Sequence, residues 1–458
     1  MNFTKTWLAL AATATITFVA GPSWAGVSAD EAKQLGTTLT PTGAEKAGNK
    51  DGTIPEWTGG LTTIPAGFKP GEGMRPDPFA ADKPRLVITG QNADQYKDKL
   101  NAVTYALLKR YPTMRVDVYP THRPVVYPER FQSNTAKNAV QAKITDGGLS
   151  FDNALPGYPF PIPKTGNEVM WNHLMRYNGT ATLCKYDSFN VDSSGTATLS
   201  TTGISSQEWP TVKPENLEKI VKPTDVFWMI KLEYTGPARR AGESLLVWDH
   251  VNPLAQPRKA WQYLPGQRRV KLAPDIAYDT PNPGIAGAGT YDDAFVFNGA
   301  MDRFDFKLVG KKEMFVPYNA YKAVYFPGSA KNITTPNHYN PDLLRWELHR
   351  VWVVEATLKP GKRHIYSKRV FYIDEDSWIA LLSDQYDARG QLYRGVMAPT
   401  AFAYDTKAMG ISVQIAYDLV AGLYASQGHC GLYYGVKYRD GFPPRDWQPD
   451  SLAGAGIR

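Results

Sequence analysis

The densest cluster of groups able to do acid–base work is Asp374-Glu375-Asp376. A general acid and a general base need two carboxyls within reach of one substrate. These three fall between two runs of alternating apolar residues, where a hairpin has to turn, so the expectation is a solvated turn. The seven histidines, at 122, 173, 250, 338, 349, 364 and 429, never take the close spacing that sets two metal ligands on one helix or strand. Around Gly52, Asn49 and Asp51 resemble the middle of a calcium loop. Ala47 and Thr58 stand where its first and last acidic ligands belong, which leaves a turn. The glycine-rich stretch 284–289 lacks the Lys-Ser/Thr of a phosphate loop and reads as a mobile loop. No Gly-x-Ser-x-Gly elbow occurs. The expectation is a chain with no catalytic residue, no metal ligand and no cofactor.

Binding is the chemistry that remains. Val226, Trp228, Ile230, Leu232 and Tyr234 alternate along one strand and share one face. Trp228, Ile230, Leu232 and Tyr234 are the candidates for lining a lipid or other hydrophobic ligand, or else they pack beneath helices. Arg268 and Arg269 are candidates for contact with anionic headgroups, because guanidinium groups pair well with phosphate and carboxylate. Cys184 and Cys430 are the only cysteines. In an oxidising compartment they most simply make one disulfide; the alternative is two buried thiols.

The elements that position these groups fall in three parts. Residues 1–25 form a signal peptide: Lys5 precedes an apolar run over 8–21, and Ser23 and Ala25 are the small residues of a cleavage site after Ala25. The run is too short to cross roughly 30 Å of hydrocarbon. No cysteine lies near the cut, so the protein is expected in the periplasm without a lipid anchor, either free or associated with the outer membrane. Residues 26–90 form an extended arm that lacks periodicity but carries apolar anchors at Leu39, Ile54, Trp57 and Leu61. Residues 91–458 form a single domain.

Within that domain, helices are expected over 91–110, 128–142 and 167–177, where apolar residues recur at helical spacing. From about 180 the period changes to two. Strands are expected at 225–234, 245–250, 260–264, 268–272, 303–309, 313–318, 343–358, 364–373, 376–386, 391–404 and 411–424, with an irregular tail over 425–458. Short turns between alternating runs make antiparallel neighbours, hence a meander. The fold class is α+β, mostly antiparallel β, a large curved sheet with Pro/Gly-rich wrapping segments, its apolar face covered by the early helices, by those wraps or by a bound apolar molecule.

Composition sets the outer limits. Hydrophobic residues make up 43% and aromatic residues 12%, enough for a substantial core. The net charge of +7 is modest for 458 residues and spread along the chain. Nucleic acid is not an expected partner.

Three stretches carry a family resemblance: 39–60 (Leu39 through Gly60, with Asn49-Lys50-Asp51-Gly52 and Trp57), 260–275 (Ala260 through Asp275, with Gly266-Gln267-Arg268-Arg269), and 386–394 (Tyr386-Asp387-Ala388-Arg389-Gly390). The chain resembles a proteobacterial envelope family of unknown function, often labelled outer-membrane lipoprotein-sorting-like. The resemblance implies a LolA/LolB-like half-barrel with helices against its apolar face. It also implies company: an RND-type inner-membrane exporter and an outer-membrane protein. The expected function is a non-enzymatic periplasmic carrier or accessory protein for a lipid or hydrophobic small molecule. Two alternatives stay open, a structural adaptor without ligand and an envelope hydrolase of lipid or glycan. The oligomeric state is not expected from sequence.

Overall fold

Alternating side chains over most of the second half of the chain place one face of each strand in the core, and the turns fold those strands back on one another. The computed structural model describes residues 26–455. The signal peptide expected over 1–25, with its cut after Ala25, falls outside the described residues. Sixteen strands share one open sheet. From one edge its order runs Leu86–Ile88, Val116–Val118, Trp346–Leu358, Lys368–Asp374, Ala380–Tyr386, Leu392–Met397, Gln414–Asp418 and Leu423–Gln427. It continues through Ala181–Val191, Ala197–Glu208, Val226–Gly236, Ser244–His250, Lys259–Leu264 and Arg269–Leu272. Phe304–Pro317 pairs with Trp346–Leu358, and Lys437–Arg439 pairs with the start of Ala181–Val191. Within this sheet, Trp346 meets Val118 in a parallel contact. Two meanders are thus joined where Tyr424 pairs with Val191. The sheet is large, curved, mostly antiparallel and not closed into a barrel.

Several boundaries differ from the sequence expectation for local reasons. The strands expected at 303–309 and 313–318 are one strand, Phe304–Pro317, with a bulge between Leu308 and Gly310. The strand expected at 411–424 is a hairpin. There the Asp418 carboxylate accepts the backbone N–H groups of Val420 and Ala421, and Gly422 takes φ 67°. The run expected at 391–404 stops at Met397, and a separate small hairpin, Ala401–Ala403 with Ala408–Gly410, follows. A bulge between Val226 and Trp228 inverts the alternation. Val226 therefore joins Met229 on the opposite face and does not share the face of Trp228.

The helices Ala102–Arg110, Glu129–Gln141 and Gly166–Leu174 send Leu107, Phe131 and Trp171 into the main core. The expected 91–110 helix is broken at Leu100–Asn101. Asp384, on a strand, accepts the N–H groups of Ala102 and Val103 at 2.9 Å and so starts a fresh helix there. Thr165 and Glu168 form a reciprocal cap on Gly166–Leu174. The outer face of the 226–272 strands is covered by the C-terminal segment through Trp447 and Leu452. The glycine-rich 284–289 stretch is packed: Ile285 and Ala288 are buried against Ala416 and Ala425.

The arm is held by polar contacts. Arg123 donates to the carbonyls of Glu45, Lys46 and Pro55, Arg350 donates to that of Ala47, and the Trp378 indole donates to that of Thr42. The cations that hold it are anchored on Asp374-Glu375-Asp376. This overturns the solvated-turn expectation, since the three residues are 0%, 2% and 4% exposed. Asp376 pairs with Arg123, Glu375 with Lys311 and Arg350, and Asp374 faces His349. Asn49 makes an Asn-anchored turn, its Oδ1 accepting from the Ile54 N–H at 2.9 Å.

Candidate ligand cavity

Four neighbouring strands, Ala181–Val191, Ala197–Glu208, Val226–Gly236 and Ser244–His250, present their inner side chains to a cavity of about 180 Å3. Trp228, Ile230, Leu232 and Tyr234 all border it, from successive inward positions of one strand after the bulge. Leu245 and Val247 continue the apolar wall on the next strand. The opposite side is built from the 276–298 loop, through Ile276, Tyr291 and Phe295, and from residues 410–412. Cys184 and Cys430 are joined in a disulfide with Cα atoms 5.7 Å apart, and both border the same space.

Polar groups on the wall are mostly tied to the protein. The Trp228 indole donates to Gln207 Oε1 at 3.1 Å. Burial pushes the Tyr186 phenol well up, and it raises Tyr234 against the opposing pull of Arg240, so both stay neutral hydroxyls at ordinary pH. Arg258 grips Asp249 through two hydrogen bonds of 2.7 Å and donates to the carbonyl of Asn298. Arg258 also borders a second cavity of about 190 Å3, lined by Trp171, Phe227, His250 and Met301 among others.

Arg176 is different. It is 5% exposed, lies just past the end of the Gly166–Leu174 helix and borders the first cavity. Its Nη1 donates to the carbonyl of His173 at 2.7 Å, its Nε has no partner, and its guanidinium sits 5.0 Å from the centre of the Phe295 ring. Burial lowers its pKa to about 10. Phe295 also meets Trp228 edge-on at 5.5 Å, so it links the charged and aromatic sides of the cavity. Phe295 and Val296 both hold positive φ, 54° and 71°. That conformation is costly for a β-branched valine. The neutral His173 ring fixes it by donating from Nε2 to the carbonyls of Phe295 and Phe297. Sequence reasoning missed Arg176 and Phe295. The signal available was one arginine three places after His173 in an otherwise apolar helix end.

Arg268 and Arg269 do not border the cavity. They are exposed at the turn and start of the edge strand Arg269–Leu272, and Arg268 takes φ 48°. His349, Asp374 and Asp376 each offer an atom within 4.8 Å of the others. Asp376 is spent on Arg123 at 2.7 and 2.8 Å, and Asp374 Oδ2 accepts from Tyr318, from the Ser377 hydroxyl and from its N–H. Asp374 Oδ1 accepts no hydrogen bond and faces His349 Nδ1 at 3.4 Å, so protein cations and donors take up all but one of these carboxylate oxygens.

Comparison with known proteins decides the family. The profile of the DUF1329 proteins, described as proteins of unknown function, matches residues 87–453. The chain belongs to the DUF1329 family. An uncharacterized protein of Pseudomonas aeruginosa is 45% identical over 407 residues, 88% of each chain. Among solved structures, a domain named as an outer membrane lipoprotein-sorting protein, from Vibrio parahaemolyticus, is 15% identical with a TM-score of 0.43. The match covers 62% of this chain and 97% of that one. A DUF1329 protein from Desulfovibrio piger is 15% identical with a TM-score of 0.40, covering 60% and 92%. A LolA superfamily protein from Nitrosomonas europaea is 12% identical with a TM-score of 0.37, covering 63% and 100%. Among the described residues of this DUF1329 chain, no helix is long and apolar enough to cross a membrane.

Proposed function

We propose that this protein is a non-enzymatic carrier of the cell envelope that holds an apolar molecule, a lipid or another hydrophobic compound, in the cavity beneath Trp228. The observation that carries the reading is that cavity, walled by Trp228, Ile230, Leu245 and Val247. Protein interiors normally close such spaces to crystal-like density. The cavity wall is mostly apolar, with polar groups such as Arg176 and Gln207 at the border, and the space accepts a ring or chain of matching size.

Volume sets the cargo. About 180 Å3 is below the roughly 300–1,000 Å3 of a drug-sized ligand site, and a cavity of about 150 Å3 takes one benzene. The space suits one ring or a short chain segment, and a larger lipid would enter by one end with the 276–298 loop displaced. Burying roughly 200 Å2 of apolar ligand surface stabilises the complex by about 5 kcal/mol before the costs of association. That strength suits a cargo that has to be released.

The same proposal places the protein in the periplasm, exported by the 1–25 leader and cut after Ala25. There it works beside an RND-type inner-membrane exporter and an outer-membrane protein, a company that rests on the family resemblance. Arg268 and Arg269, exposed at the sheet edge, meet anionic headgroups while cargo is exchanged.

The test is a titration of the full chain with a neutral naphthalene fluorophore. Saturable binding at one site, competed by other apolar compounds, supports the reading. Signal that never saturates would show that the dye meets only surface patches and that the cavity holds nothing.

A further inference from the structure

Seven arginines are buried among the described residues. Six of them have carboxylate partners: Arg75 with Asp405, Arg123 with Asp376, Arg240 with Glu243, Arg345 with Glu347, Arg350 with Glu375, and Arg369 with Asp292 and Asp293. The seventh, Arg176, has no carboxylate within 4.0 Å among the described residues, and its one hydrogen bond goes to a backbone carbonyl.

We infer that Arg176 is the anion-recognition point of the cavity, and that the cargo is a small amphiphile with a carboxylate at one end and an apolar ring or short chain at the other. The inference rests on the carrier reading above and deepens it by naming the class of ligand. A guanidinium taken out of water without a counter-ion is costly, and folded proteins keep such charges paired. The protein pairs every other buried arginine within its own chain, so the partner of Arg176 comes from outside it.

The geometry suits a carboxylate. Nη1 is used on His173; among the described residues Nε is buried without a partner, and Nη2 donates to no protein group. Those two nitrogens form one edge of the guanidinium fork, which a carboxylate engages through both oxygens. Phe295 lies over the guanidinium and against Trp228, so a ligand gripped at Arg176 is directed along the aromatic wall. Asn178 also borders this end of the cavity, with its side-chain N–H bound to the carbonyl of Arg176. The modest cavity volume favours one ring or one short chain over a two-chain phospholipid.

The experiment is calorimetric titration of the full chain with octanoate, 1-octanol and octyl phosphate, for the wild type and for Arg176→Met and Arg176→Lys. The expected result is octanoate bound about tenfold or more tightly than 1-octanol by the wild type. The preference falls for Arg176→Lys, which keeps the charge and loses the fork, and disappears for Arg176→Met. Removing an unpaired buried charge also leaves Arg176→Met folded, with a melting temperature equal to or above that of the wild type. Equal binding of octanoate and 1-octanol by the wild type overturns the anion site and leaves the apolar carrier standing. Binding of none of the three overturns both. Octyl phosphate bound tightest, and lost in Arg176→Met, replaces the carboxylate by a phosphate headgroup. A carboxylate preference that persists in Arg176→Met removes the role from this residue. The wild-type comparison decides the question even if a variant does not fold.

Discussion

Arg123 holds Asp376 through two hydrogen bonds, Nε to Oδ2 at 2.8 Å and Nη2 to Oδ1 at 2.7 Å, and spends its remaining donors on the backbone of the 45–55 arm. Together with Arg350 and the Trp378 indole, this buried cation fixes a segment with no periodicity to the sheet. Removing one partner of such a pair leaves the other charge buried and alone. Arg123→Ala is expected to cost about 3–5 kcal/mol of stability in denaturant unfolding. It is also expected to open the arm to limited proteolysis before the sheet is cut. An unchanged midpoint with an intact arm would mean that the apolar anchors Ile54 and Trp57 suffice.

The same cluster gives a pH dependence. Burial alone would lower the His349 imidazolium, but interaction with the carboxylates of Asp374 and Glu347 outweighs it and holds the pKa up at about 9. Glu347 lies at 3.1 Å and Asp374 at 3.4 Å, and the Tyr318 ring stacks on the imidazole. A folded value above the unfolded value of about 6.5 makes the charged histidine stabilising. That contribution is fully present below about pH 6.5 and is lost as the pH rises through about 9. Chemical unfolding between pH 6 and 10 is expected to show falling stability, and His349→Gln is expected to flatten the slope. A variant as steep as the wild type assigns the slope to other groups.

Cys184 and Cys430 close a loop of sequence separation 246, joining the first strand of one meander to the segment after the last strand of the other. Reduction, or Cys184→Ser with Cys430→Ser, is expected to cost about 2–4 kcal/mol. Because both cysteines border the cavity, apolar ligand affinity should fall in the same samples. Loss of stability with unchanged affinity would confine the bond to a structural role.

Cavity size is open to a direct substitution. Ile230→Phe adds bulk at the wall, and is expected to block apolar ligands while leaving the unfolding midpoint close to that of the wild type. Trp228→Ala enlarges the space and costs about 3–5 kcal/mol, as truncations of buried aromatics do. The two variants should differ in sign for ligand capacity. Matching ligand behaviour would place the binding site elsewhere.

Much of the sheet was readable from alternation, and the inward set Trp228, Ile230, Leu232 and Tyr234 follows from period two alone. Val226 was misplaced because a bulge costs one residue and leaves no mark in an apolar run. The 414–427 hairpin was hidden because Asp418 makes its turn with a side chain and only Gly422 marks it. The burial of Asp374-Glu375-Asp376 was not visible because Lys311, Arg350 and above all Arg123 lie far along the chain. Arg176 was passed over for a related reason. What distinguishes it is a missing partner, and the absence of a nearby carboxylate is a property of the fold.

The central claim is that the cavity beneath Trp228 retains an apolar cargo. Native mass spectrometry of gently purified full chain, followed by solvent extraction of the same sample, measures this most directly. The account predicts a discrete added mass that is lost on activation and recovered in the extract as an apolar or amphiphilic compound, and that is absent from Ile230→Phe. A single mass equal to the protein alone, with an empty extract and no uptake of added apolar compounds, would contradict it.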